Sequence, residues 1–285
     1  MNVNEATLVV ADEYSRMAET YDRIVVPRFE PIARTVVELL APRPGEMVLD
    51  VATGTGLLAC LIAPRTAPAQ LVAIDLADEA IRVASYRAGT SGIRNIRFEM
   101  MDARNIVYRS ALFDAIGSNL GMPNVGYART FYEIHRLLKP GGRLVFSEWD
   151  RTLPPSEAAF VELLGKHRTP SPSKELAQVR EAVELNRTAP EARELRDPAA
   201  VAKKLTAAGF ASVHDVVRTF PTHFASVKEL IEFNAAWGWD EREVREMRPE
   251  ARAAFEAGIA ERLKDRAGPA GFDETWTIHF TVARV

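Results

Sequence analysis

The chain has 285 residues, 47% hydrophobic and 26% charged, close to the average of folded globular proteins, which excludes disorder, a collagen and a coiled coil. That length suits two ordinary domains or one large α/β domain, and folding hides roughly three quarters of the unfolded surface, enough for a core without staples. A net charge of −3 disfavours a basic nucleic-acid-binding face, no run of 18 apolar residues reads as a membrane span, and the lone Cys60 cannot close an internal disulfide.

The first thirty residues read as helix, with Tyr14, Met17, Ala18 and Tyr21 at three- and four-residue spacing and Pro27 and Pro31 punctuating its end. The start carries Asp12 and Glu13 and no secretory signal pattern, so a reducing, cytoplasmic setting is expected. A second helix shows Ile32, Val36, Val37, Leu39 and Leu40 as its apolar face and breaks at Pro42, Pro44 and Gly45. From residue 47 strands and helices alternate. Strands are expected at 47–51, 70–74, 96–100, 114–117 and 143–147, and helices at 57–62, 78–87 and 127–138. Such alternation means a parallel sheet with right-handed crossovers and both faces covered.

After Asp150 the pattern loosens. Residues 151–197 are rich in charge and proline, and the stretch 168–174 has no apolar anchor, so it reads as a mobile loop. Asp197-Pro198 opens a helix that Gly209 closes. Residues 212–219 and 276–282 read as the sixth and seventh strands, with a helical insertion between them opened by a Ser226/Glu229 capping box. The expected organisation is N-terminal helices over 1–46, an α/β core over 47–150, a helical lid insertion over 151–197, and the end of the sheet over 198–285 with a second insertion at 222–274. Open parallel sheets bind ligands beyond the carboxyl ends of their strands. Both insertions are expected to emerge at that edge and roof one site.

The sharpest local signal is Asp50-Val51-Ala52-Thr53-Gly54-Thr55-Gly56, an acid-ended strand, a turn with two close glycines, then a helix. Glycines let a ligand approach the backbone, and the helix start offers free N–H groups. Asp75 ends the second strand 19 residues after Gly56, placed to accept hydrogen bonds from the two ribose hydroxyls of an adenosine ligand. Gly54, Gly56 and Ala59 also satisfy Gly-x-Gly-x-x-Ala, which leaves nicotinamide and flavin dinucleotides open. Asp102 ends the third strand, where a carboxylate can accept from a purine amino group.

Together these pieces resemble the class I S-adenosylmethionine-dependent methyltransferases, in particular the ubiquinone and menaquinone C-methyltransferases. The matching segments are DVATGTG (50–56), VAIDL (72–76), MMDA (100–103), FDAIGSNLGM (113–122) and LLKPGGRLVFSEW (137–149), with YSRMAETYD (14–22) similar to the family's cofactor-covering helix. The resemblance implies a doubly wound, seven-stranded, mostly parallel sheet of Rossmann-like type. It implies that Asp50, Gly54 and Gly56 frame the methionine end of S-adenosylmethionine, within the turn that includes Ala52 and Thr53. Asp75 would hold the ribose, Leu76 would lie on the adenine, and Asp102 and Ala103 would read its edge. Asn119 would meet the methionine part through its backbone, and Tyr14 and Tyr21 would close over the cofactor. Ala52 stands where the family usually has its first glycine.

The expected activity is methyl transfer to O, N or C of a small, aromatic or polyketide-like molecule. The other readings are a nicotinamide-dependent oxidoreductase and a cofactor-binding protein that transfers no methyl, a cyclase or an inactive partner. Ser118-Asn119-Leu120-Gly121-Met122-Pro123 replaces the Asn-Pro-Pro-Tyr of nucleic-acid amino-methylating enzymes, which with the acidic balance argues against a nucleic-acid substrate. No membrane partner is expected, and a homodimer is left open. Among the five histidines, His223 follows the expected sixth strand and is the candidate general base. Cys60 reads as core filler, and no cluster has metal-ligand spacing. Trp237 and Trp239 read as packing residues, or as an aromatic wall for a flat substrate.

Overall fold

The structure, a computed structural model, describes residues 1–123, 126–237 and 239–285. Its elements in chain order are α1 (Val3–Ile24), α2 (Val26–Leu40), β1 (Val48–Val51), α3 (Leu57–Thr66), β2 (Leu71–Asp75), α4 (Asp78–Thr90), β3 (Ile96–Met100), β4 (Phe113–Asn119), α5 (Tyr127–Leu137), β5 (Leu138–Trp149), α6 (Pro155–His167), α7 (Lys174–Thr188), α8 (Pro190–Glu194), α9 (Pro198–Ala208), β6 (Ser212–Phe224), α10 (Val227–Ala235), α11 (Asp240–Arg245), α12 (Pro249–Leu263) and β7 (Phe272–Arg284). The chain divides into two compact units.

The α/β unit takes Phe29–Arg151, Asn186–Arg218 and Thr277–Val285. The seven strands have the order β3-β2-β1-β4-β5-β7-β6. β1 is central and wholly buried, with Leu49 opposite both Val72 of β2 and Ile116 of β4 in parallel register. β2–β3 and β4–β5 are also parallel, whereas β7 runs antiparallel to β5. Successive strands move outward from β1 to β3 and then return to its other side at β4. That reversal opens a crevice beyond the carboxyl ends of β1 and β4. On one face Phe131 of α5 lies 5.7 Å from Phe146 of β5, in a core that includes Leu205 of α9 and Phe210. Gly209, at φ +109°, closes α9 where a Cβ would stand 2.6 Å from the His135 ring, so His135 packs the helix end.

The helical unit takes Met1–Arg28, Thr152–Leu185 and Thr219–Trp276. Phe160 of α6 meets Phe255 of α12 edge to face at 5.5 Å, and Gly258 lets Leu163 come close. Phe233 stacks on Trp276, and Arg28 covers the faces of Phe224 and Phe233 at 4.9 and 5.2 Å. Buried Glu13 is held by Arg16 and Arg242.

Several element boundaries differ from the sequence reading. Pro31 lies inside α2, where the helix breaks only at Val25. β5 begins at Leu138 and takes in the Lys139–Gly142 turn expected to precede it. β6 runs to Phe224, so His223 stands in a strand and not in a following loop. β6 is the edge strand of the sheet, where a proline such as Pro221 is tolerated. No helix among the described residues is long and apolar enough to cross a membrane.

Candidate active site

The turn after β1 is pinned to the end of β2 by two bonds and closed on itself by a third. Thr53 N–H donates to the Ile74 carbonyl at 2.9 Å, Gly54 N–H donates to Asp75 Oδ2 at 2.7 Å, and Gly56 N–H closes the turn on the Thr53 carbonyl at 2.9 Å. Asp75 Oδ1 accepts from Ala77 N–H at 2.9 Å. Each carboxylate oxygen keeps lone-pair capacity for a ligand hydroxyl. Burial raises the Asp75 pKa against these backbone donors. Gly54 sits at φ +53°, with no other atom within 4 Å of where a Cβ would be. Gly56, at φ +82°, has no such freedom, since a Cβ there would lie 2.8 Å from Ala84 Cβ.

Asp50 is fully buried, and its Oδ2 accepts from the Thr53 hydroxyl at 2.6 Å. Burial lifts its pKa to about 7, with the Thr53 bond opposing and the Asp75 charge adding to the rise. At the end of β3, Met101 N–H donates to the Asp75 carbonyl. Asp102 follows, but its carboxylate already carries a partner that sequence reasoning missed. Arg104 Nη2 donates to Oδ2 at 2.7 Å and Nε to Oδ1 at 3.0 Å, and these bonds overcome desolvation to hold the Asp102 pKa below its usual value. Leu76 and Ala103 are half-buried beside these two acids in sequence.

At the end of β4 the chain turns through Leu120 at φ +54° and Gly121. A Cβ on Gly121 would stand 2.7 Å from Ala52 Cβ, 2.9 Å from the Ala52 carbonyl oxygen and 3.2 Å from Ser118 Oγ. The two turns therefore touch. Ala52 itself sits at φ +53°. Ser147, fully buried in β5, donates from Oγ to Asn119 Oδ1 at 3.0 Å and accepts from Leu120 N–H at 2.9 Å. The hydroxyls of Thr55 and Ser118 are buried and have no protein partner among the described residues.

The sequence-selected residues thus fall into two groups. Asp50, Ala52, Thr53, Gly54, Gly56, Asp75, Leu76, Asp102, Ala103 and Asn119 all belong to the carboxyl ends of β1 to β4 in the α/β unit. Tyr14, Tyr21 and His223 belong to the helical unit. There Tyr14 meets Trp239 edge to face at 6.0 Å, whereas Gly238 lies outside the described residues. The exposed His223 ring shares a 2.9 Å hydrogen bond with Asp273. Ser147, Leu120 and Arg104 were missed. A lone serine in the apolar run Val145-Phe146-Ser147 was the available signal for the first. Among the described residues no cluster of three or more His, Cys, Asp or Glu could hold a metal.

Residues 48–142 match the family model described as a methyltransferase domain. Nocamycin O-methyltransferase of Saccharothrix syringae is 27% identical over 281 residues, 95% of this chain and 97% of that protein. Demethylmenaquinone methyltransferase of Thermus thermophilus is 34% identical over 128 residues, 45% of this chain and 56% of that protein. The chain spans about half the length of the quinone methyltransferases it matches. Among solved structures, phosphoethanolamine N-methyltransferase 2 of Haemonchus contortus, in complex with S-adenosyl-L-methionine, superposes with a TM-score of 0.51 at 18% identity, over 89% of this chain and 52% of that one. A S-adenosylmethionine-dependent methyltransferase of Aquifex aeolicus gives 0.50 at 17%, over 71% and 90%.

Proposed function

We propose that this chain, a class I S-adenosylmethionine-dependent methyltransferase, transfers its methyl group to a small, partly aromatic or polyketide-like molecule. The observation that carries the reading is the Gly54–Asp75 bond, which joins the glycine turn and the acid after β2 into one adenosine-binding edge. The residues present fit the cofactor. Open space faces Gly54, and two buried hydroxyls, Thr55 and Ser118, lack protein partners at the same turns. Asp75 would hold the ribose hydroxyls, Asp102 and Ala103 the adenine edge with Leu76 on its face, and the turn from Asp50 to Gly56 the methionine end. Asn119 would meet that end through its backbone. When bound, the cofactor supplies a methyl group on a sulfonium, activated for in-line attack by an acceptor lone pair. The protein's task is to hold acceptor and methyl in line and to exclude water; such alignment supplies much of the acceleration.

The nicotinamide reading rested on the glycine turn and Asp75 and gives way to the methyltransferase domain match. The substrate class draws support from the nocamycin enzyme, whose length the chain covers almost completely. Methyl-labelled S-adenosylmethionine, offered with a panel of small phenols, polyketides, quinols and amines, tests both levels. Label in a small-molecule product supports the reading. Binding of S-adenosylhomocysteine with no transfer to any of them would sink it.

A further inference from the structure

The bonding of Ser147 fixes which end of the Asn119 side chain is open. Leu120 N–H can only donate, so Ser147 Oγ accepts there, at 2.9 Å. The Ser147 hydroxyl hydrogen then has one acceptor in reach, Asn119 Oδ1 at 3.0 Å. Turning the amide over would place N–H groups against that oxygen and strand the hydrogen of a wholly buried hydroxyl, an unfavourable outcome. Asn119 Oδ1 therefore accepts this bond, which fixes the amide, and the two N–H donors of Nδ2 have no protein partner among the described residues. Asn119 ends β4 opposite Ser147 in register, half-exposed, and the turn that follows it packs on Ala52. Leu120 holds a left-handed backbone that side chains rarely adopt, and Ser147 is what bonds it there. Strain kept in place by a buried partner is a mark of a working site.

The open end is selective by charge. An amine attacking a methyl group gains positive charge, which the positive ends of two N–H donors disfavour. An oxygen acid attacks as its anion and needs donors. We propose that Asn119 donates its amide N–H pair to the acceptor oxygen, that Ser147 is the positioning residue that fixes this orientation, and that the substrate is an oxygen acid, a phenol, enol or carboxylic acid, bound as its anion. The inference rests on the methyltransferase reading above and narrows its acceptor atom to oxygen. The acceptor's proton passes to solvent. The oxygen lone pair then forms the O–CH₃ bond while the carbon–sulfur bond breaks and its electron pair returns to sulfur, leaving a neutral thioether.

The test uses the full chain saturated with S-adenosylhomocysteine and 4-nitrophenol as probe, whose phenolate absorbs visibly. Donation to the phenolate lowers the pH at which the bound probe ionises by about one to two units. Asn119→Asp, which keeps the shape but replaces the donors by acceptors, and Asn119→Leu should abolish that shift. Ser147→Ala should halve it or worse, and Ser147→Thr should restore it. All four should keep the parent's circular-dichroism spectrum and melt cooperatively, which confirms that they fold, and each is assayed at its own saturating S-adenosylhomocysteine concentration. With S-adenosylmethionine, label should enter catechol and benzoic acid in preference to 2-phenylethylamine, and Asn119→Leu should lower that transfer at least tenfold. An unshifted probe, preferred transfer to the amine, or no transfer to any oxygen acid overturns the proposal. Failure of the parent to bind S-adenosylhomocysteine would instead remove the broader reading.

Discussion

Asp75 accepts from two backbone amides and has capacity left for a ligand, so its removal strikes the turn and the cofactor together. Charge-assisted hydrogen bonds are worth about 1.5–3 kcal/mol each. Asp75→Ala is expected to weaken S-adenosylhomocysteine binding on the order of 10- to 100-fold, read by calorimetry. Unchanged affinity would remove Asp75 from the ribose. Asp75 and Gly54 were legible in the sequence because an acid at a strand end and a glycine in the preceding turn are local patterns. The Ser147–Asn119–Leu120 cluster was not, because it joins two strands 28 residues apart and only the register of β4 on β5 brings them together. Arg104 escaped for a different reason. A basic residue two positions after an acid reads as a solvated turn, yet here it clamps both oxygens of that acid.

At the scale of elements, helix α3 begins at Gly56, and its first turn is set by how near α4 can come. Gly56→Ala combines a left-handed φ with a 2.8 Å approach to Ala84. It is expected to lower stability by about 2–4 kcal/mol, seen as a lower urea midpoint at unchanged slope. A loss under 0.5 kcal/mol would show that the turn yields freely. The stretch 168–174 shows where apolar pattern alone misleads. It lacks apolar anchors, but the carbonyl of buried Thr169 accepts from Arg180 Nη2 at 3.0 Å, and Ser173 donates through both N–H and Oγ to Glu246. Polar side chains from distant elements tie the loop down, and no local sequence rule reports them. Glu246→Ala should accelerate proteolytic cleavage within 169–173 severalfold, while equal digestion of parent and variant would mean that the Glu246 bonds add nothing. The strand ends were blurred for a related reason. The sixth strand was expected to end at residue 219, yet it runs on through Pro221 to Phe224, since only a central strand needs every N–H.

Taken over the whole molecule, buried acids set the response to pH. Glu148, buried at the end of β5, has its pKa pushed up to about 7 by desolvation, with Arg196 and its own following amide opposing. Asp50 is raised to about 7 as well. For each, the folded state keeps a proton that the unfolded chain releases above its ordinary carboxylate pKa. Stability therefore falls as pH rises from about 4.5 through 7. His279 adds to the same trend. Its pKa is raised, against desolvation, by the carboxylates of Asp215 at 2.7 Å and Asp150 at 3.1 Å, so its contribution is full below about 6.5 and lost as pH climbs through the folded value. The acids with lowered values, Glu13 and Glu46 among them, act only below about pH 4.5. The melting temperature is expected to be lower at pH 8 than at pH 5.5. Glu148→Gln should recover about 1–3 kcal/mol at pH 8 and nothing near pH 4. A flat profile in the parent would contradict this assignment.

The contact between Ala52 and Gly121 has a consequence for the order in which changes can accumulate. Only one methyl group fits between the two turns, and here residue 52 holds it. The arrangement is not interchangeable. Removing the methyl by Ala52→Gly leaves a carbonyl oxygen 2.9 Å from any Cβ placed at 121, so Gly121 stays obligatory whichever residue occupies 52. Position 52 can drift between alanine and glycine as long as 121 is glycine, whereas a side chain arriving first at 121 closes the path. The asymmetry is one-way: a glycine at 121 licenses variation at residue 52 and receives none in return.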